Sequence, residues 1–154
     1  MKNQAKTNNT QANDRRTEHA FEAVKKIVEK NENFQKEFRS AARSFPTMVH
    51  NNGLSAAIAF LKVKMVGEVK DASGKQKEKN HYDSLYESLE GWLVEIGRVS
   101  IDKNEDGRKA KDLLEAVVKM SRDRYRIVTE EVMIYSQWIK RFAEGMLSKD
   151  EQNG

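Results

Sequence analysis

Arg43 and His50 are separated by six residues on a stretch that reads as helix, so a proton carrier and a phosphate-binding cation share one segment. In such a pair the histidine would move a proton while the arginine steadied a phosphate, the division of labour of an RNA-cleaving site. Pro46 interrupts the spacing, and the residue after the arginine is only Ser44. A simpler reading leaves Arg43 on an exposed helix face and puts His50 at the C-terminal end, where a cationic ring suits the helix dipole. The segment DKNEDG (102–107) opens like a calcium loop. Its twelfth position, where the bidentate glutamate belongs, is Leu113, and the usual apolar eighth position is Lys109. An Asp/Asn/Gly turn leading into the next helix explains the segment better.

Other chemistry is sparse. His19, His50 and His81 lie far apart, and no H-E-x-x-H, G-x-S-x-G or G-x-x-x-x-G-K run is present. Glu130 and Glu131 adjoin, but helical neighbours point about 100° apart and make no carboxylate dyad. Cysteine is absent, which removes thiol nucleophiles, thiolate metal sites and disulfides, and is compatible with a reducing, cytoplasmic setting. We therefore expect no catalytic residue, no metal and no cofactor.

The remaining polar groups of interest are basic. Arg39 and Arg43 lie one turn apart, and Lys62 and Lys64 close a short helix. Arg122, Arg124 and Arg126 open the last helix, while Lys140 and Arg141 lie off its apolar seam. Local acids accompany some of them: Glu130 follows Arg126 by four, and Glu144 follows Lys140 by four and Arg141 by three. Singly these are solvated side chains with weak ion pairs. As sets they suit phosphate contacts that carry no sequence information. Phe, Tyr and Trp fall at core spacing, without the basic–aromatic alternation of a base-stacking surface. Any nucleic-acid contact is then with backbone or shape, inside a larger assembly.

The elements that must position these groups are helical. With one proline and eight glycines, the chain lacks the turns of an all-β protein. Apolar residues recur at helical spacing as Ala20, Phe21, Val24, Ile27 and Val28, then as Phe34, Phe38, Ala41, Phe45 and Met48. Pro46 predicts a kink or restart in the second run, and Asn51, Asn52 and Gly53 end it. A third helix places Leu54, Ala57, Ile58, Leu61 and Met65 inward, followed by a lysine-rich polar loop at 67–80. Tyr82, Leu85, Leu89, Trp92 and Ile96, with Tyr86 and Leu93, mark a fourth helix; Ala110, Leu113, Leu114, Val117 and Val118 mark a fifth. In the last, roughly 122–147 and about 39 Å long, Tyr125, Val128, Val132, Tyr135, Ile139, Phe142 and Met146 repeat at three and four. The expected fold is all-α: a single compact bundle of about six helices with a long C-terminal helix.

Length and charge agree. A chain of 154 residues suits one domain, and we place the bundle at 15–148 between a polar disordered tail at 1–14 and a disordered C-terminus at 149–154. The net charge is +4, of which residues 1–16 supply three units, so the body is nearly neutral. The longest apolar run, AAIAFL at 56–61, is far too short to span a membrane, and no secretory leader opens the chain.

Three segments together carry a resemblance: FPTMVHNNGLSAAIAFLKVK (45–64), YDSLYESLEGWL (82–93) and YRIVTEEVMIYSQWIKRFAEGML (125–147). A proline before a kinked helix, an N-G-L turn, an A-F-L helix ending in lysine, Y-x-x-L-x-x-W-L and a final T-x-E…W-x-K-R-F-A-E helix occur in that order. The set resembles the small all-helical subunit of the Cmr complex, the type III-B CRISPR effector; Val63 departs from the serine usual before the lysine. The resemblance implies a non-catalytic, RNA-binding antiviral-defence subunit. It would stack in several copies beside the large and backbone subunits and face the guide RNA–target RNA duplex. Carried over by position, Lys64, Arg126, Lys140 and Arg141 are its expected RNA contacts. Two readings compete. The Arg43–His50 spacing falls within the R-x₄₋₆-H pattern of the helical HEPN ribonucleases, and a generic helical adaptor needs no RNA at all.

Overall fold

A computed structural model of the chain describes residues 2–102 and 110–149, with side chains described from residue 14 onward. It holds six helices: α1 (Lys2–Val28), α2 (Glu32–Asn52), α3 (Leu54–Lys64), α4 (His81–Glu95), α5 (Leu113–Lys119) and α6 (Arg122–Met146). Among the described residues there is no strand, only isolated bridges at Lys70–Gln76 and Ile101–Ala110. The fold is all-α.

Four helix starts are encoded by their caps. Asn31, Asn80, Asp112 and Ser121 adopt extended backbone, and each side chain accepts the N–H three residues on. At α4 the bond is reciprocal, because Asp83 accepts the Asn80 N–H at 2.9 Å and completes a capping box.

The long α6 is the axis. Arg16, His19 and Phe21 of α1 meet Glu131, Tyr135 and Phe142 in ascending order, so α1 runs parallel to α6. Gln35 and Arg43 of α2 meet Ser148 and Glu144 in descending order, so α2 runs antiparallel. Trp92 of α4 closes over Glu131 and Tyr135, and α3 packs against α2, α4 and α5. The interior is apolar, led by Trp92, Tyr135, Phe38 and Phe45. The α3 alanines divide: Ala57 is fully buried and Ala56 is exposed.

Several positions differ from the periodic expectation. Phe21, Val28 and Val118 are 38%, 41% and 63% exposed. On α2 Ala42 and Val49 are buried along with Phe38 and Phe45, while Ala41 and Met48 sit half-buried beside them. A three-four repeat locates a face but not which of two adjacent residues lies deeper. α1 begins at Lys2, so its path includes the polar segment that composition assigns to a tail. α2 continues through buried Pro46 without a restart, although the missing N–H removes a donor from the Ala42 carbonyl. The 67–80 loop is folded locally: Asp71 and Lys77 N–H groups bond the Lys75 and Val69 carbonyls at 2.8 and 2.7 Å.

The joint between α2 and α3 depends on Gly53. It combines φ 88° with ψ 163°, donates its N–H to Val49 O at 2.9 Å, and serves both helices as a cap. That region is essentially reserved for glycine. Beyond it, the Tyr125 hydroxyl accepts the Ser55 N–H at 3.0 Å, tying the start of α3 to α6. Gly53→Ala is expected to destabilise the fold by about 2 kcal/mol from backbone strain. Urea unfolding measures it; an unchanged midpoint would show that the positive φ is not what the glycine supplies.

Candidate nucleic-acid interface

A polar cluster beneath the surface determines which face α6 turns outward. Arg16 Nε and Nη2 donate to Glu131 Oε1 and Oε2 at 2.7 and 2.9 Å, a bidentate pair. Trp92 Nε1 donates to the same Oε1 at 2.9 Å. Both charged side chains are only 12% exposed. Burial alone would raise the Glu131 carboxyl, but the bonds from Arg16 and Trp92 outweigh it and hold the group below its ordinary value.

One turn along α6, His19 Nδ1 lies 2.6 Å from the Tyr135 hydroxyl, and the Trp92 and Tyr135 rings stack at 5.6 Å. Burial lowers the His19 pKa and raises that of Tyr135, so both stay neutral around pH 7. Three helices are thereby locked at one roll angle of α6. The cluster also explains two features of the sequence: Trp92 of W-L and Glu131 of T-x-E are bonded to each other.

With that roll fixed, Arg126 and Arg141 are exposed and Lys140 is half-buried. Fourteen residues separate Arg126 from Lys140, about 21 Å along the axis, and fourteen steps of about 100° return to within about 40° of the start. These cations therefore share one side of α6. The Arg141 guanidinium lies 5.3 Å from the Trp138 ring centroid, and Trp138 stacks on Phe142. The expected local partner Glu144 instead reaches α2, where it pairs with Arg43 at 3.6 Å.

Lys64 stands elsewhere, at the end of α3. Its Nζ lies 5.8 Å from the Phe60 ring centroid, and its carbonyl accepts Asn80 Nδ2 at 2.8 Å. Lys62, two residues earlier, is structural: it bonds Asp112 at 2.9 Å over the Tyr86 ring. The exit from α3 is held by Asp83, only 1% exposed, which accepts the Val66, Gly67 and Asn80 N–H groups at 3.0, 2.8 and 2.9 Å. Thus the structure strings Arg126, Lys140 and Arg141 along one side of α6 and leaves Lys64 on a separate element, positioned through Asp83.

The residues of the competing ribonuclease reading both lie on α2, seven positions apart. Arg43 is engaged by Glu144, and His50 is exposed in the last turn of α2. His81 is the histidine that meets a carboxylate, Glu37 at 3.1 Å, with burial lowering its pKa against that charge. Among the described residues no group of three or more His, Asp or Glu could hold a metal ion, and DKNEDG falls largely outside them. No helix is long and apolar enough to cross a membrane, counting described residues.

Sequence reasoning missed Arg16, Trp92 and Glu131 as a unit because 115 residues separate the ion pair and no local pattern marks it. Asp83 was detectable in principle, since N-x-x-D before an apolar run is a capping-box signal.

A comparison with protein families matches residues 12–146 to the family described as CRISPR-associated protein (Cas_Cmr5). Among solved structures, the fold is similar to the crystal structure of a CRISPR-associated Cmr5 family protein from Thermus thermophilus. The two share 26% identity with a TM-score of 0.59, covering 86% of this chain and 96% of the other.

Proposed function

Because this chain belongs to the Cmr5 family of CRISPR-associated proteins and is thus a Cmr complex subunit, we propose that its part there is non-catalytic, holding the guide RNA–target RNA duplex. In this reading copies of the chain stack along the complex beside the large and backbone subunits, and cleavage belongs to other subunits. The observation that carries the RNA contact is the outward side of α6. Arg126, Lys140 and Arg141 project from a helix whose roll is locked from beneath by Arg16, Trp92 and Glu131. Cations spread over about 21 Å of rigid helix suit a run of phosphates rather than a single reacting group. Lys64, beside the α3 exit, is the secondary contact.

The test is the double variant Lys140→Glu/Arg141→Glu in the assembled complex. Target-RNA retention is expected to fall about tenfold at physiological salt, and the slope of affinity against salt to become shallower by about 2. The far-ultraviolet circular dichroism should not change. Unchanged retention would remove both residues from the interface.

A further inference from the structure

Beside its cations, α6 turns an apolar strip outward. Ile127 and Ile134 are 40% and 46% exposed, and Trp138 is half-buried. At about 100° per residue these three positions fall within about 40° of one another and span about 17 Å. A helix at a bundle surface normally carries polar groups there. The seam of Val128, Val132, Tyr135 and Ile139 is already fully buried, so the strip is surface beyond what the core uses.

Trp138 is its wide end. The indole stacks on Phe142 at 5.6 Å, and Phe142 meets the exposed Phe21 of α1 edge-on at 5.6 Å. The Arg141 guanidinium lies 5.3 Å from the Trp138 ring centroid. Lys140 adjoins it, and Glu144, the nearest acid on this helix, is turned to Arg43. Glu130 accompanies Arg126 at the far end. The aromatic residues sit at core spacing along the chain, which predicts RNA contact through backbone alone. Folding nevertheless leaves part of an indole, a planar guanidinium and an apolar strip at one surface.

Apolar area edged by Lys140 and Arg141 suits a ligand with flat apolar faces and an anionic border. An unpaired RNA nucleotide has that form: its base stacks on an indole or a guanidinium, and its phosphates meet the cations. Bases inside a duplex are already stacked and paired, so a duplex offers only phosphates here. We propose that Trp138, with Ile134 and Arg141, is a stacking platform for a base of single-stranded RNA whose neighbouring phosphates lie on Lys140 and Arg141. The proposal rests on the reading of α6 as the RNA-facing side and adds a base contact to it.

Fluorine NMR on the full chain tests it. Trp92 and Trp138 are the two tryptophans, so labelling with 5-fluorotryptophan gives two resonances, assigned through Trp138→Phe. Trp92 is 1% exposed and serves as the internal control. The probes, added at low salt, are a single-stranded RNA of about ten nucleotides, an abasic strand of equal length, and the same RNA as a duplex. The single strand should shift the Trp138 resonance, the abasic strand and the duplex should shift it far less, and Trp92 should stay in place. Trp138→Leu should weaken the single strand roughly tenfold and bring it level with the abasic strand. Arg141→Lys, at an exposed position, should keep the salt slope yet weaken the single strand roughly threefold. If Trp138→Leu unfolds by circular dichroism, Arg141→Lys and the wild-type shifts decide.

Equal Trp138 shifts from the base-bearing and abasic strands overturn the platform. So does a folded Trp138→Leu chain that still prefers the base-bearing strand, or a wild-type chain that binds none of the three probes. If Trp138→Leu leaves RNA binding unchanged but drops another subunit from the assembled complex, the strip seats protein and the proposal falls. The phosphate reading is scored separately, by Lys140→Glu/Arg141→Glu in the complex. Retention that falls there, with base-independent shifts here, sinks only the platform, whereas unchanged retention sinks the phosphate reading.

Discussion

Glu131→Ala is expected to lower the unfolding free energy by about 3 kcal/mol, the lower range for breaking a buried ion pair by removing one partner. The carboxylate accepts from Arg16 twice and from Trp92 once, so its loss loosens α1, α4 and α6 from one another together. Urea unfolding reads the change, and a cycle with Arg16→Met should show strong coupling because both single variants remove the same bonds. The pH dependence has a definite sign. The Glu131 carboxyl is held below its ordinary value of 4.5, so its contribution is complete above that pH and fades as pH falls through the lowered value. The gap between wild type and Glu131→Ala should therefore narrow in acid. A gap that is constant with pH, or below about 1 kcal/mol at neutrality, would mean that the pair is no more than a surface bridge.

Asp83→Ala should have an effect of similar size, about 3 kcal/mol, through a different mechanism. Three backbone N–H groups at 66, 67 and 80 converge on one carboxylate that is 1% exposed, and alanine leaves them without it. Loss of the capping box also weakens the start of α4. The local consequence concerns Lys64, whose carbonyl is bonded by Asn80. Amide hydrogen exchange should accelerate at Val66, Gly67 and the first turn of α4 well before α6 responds. Asp83→Asn retains acceptor capacity and should restore part of the stability. If Asp83→Ala exchanges like the wild type at 66–67, the carboxylate does not hold that exit.

These effects show what could be read along the chain and what could not. The α6 seam was legible because Val128, Val132, Tyr135 and Ile139 repeat at three and four, and all four are buried. The caps at Asn31, Asn80 and Ser121 act over only three residues, so they are local features of the chain, although the apolar spacing that marks the helices does not point to them. The bonds that fix the site are of another kind. Arg16 meets Glu131 across 115 residues, and neither carries a local mark distinguishing it from Arg15 or Glu130. Lys62 and Lys64 look alike in LKVK, yet one is turned to Asp112 and the other outward, a difference set by where α5 packs. Glu144 lies within reach of Lys140 and Arg141 on its own helix but pairs with Arg43 on the next. Charge type and spacing thus mark where the α6 cations lie along the chain, whereas which of them stay unpaired with a neighbouring helix depends on tertiary partners.

The most direct test of the central claim is recovery of the tagged chain from cells that express the other Cmr subunits and a guide RNA. The chain is expected to retain those subunits and the guide RNA at low salt, with target RNA added to the same complex held less well by Lys140→Glu/Arg141→Glu. Recovery as a clean single chain, with those partners present and none retained, would contradict it.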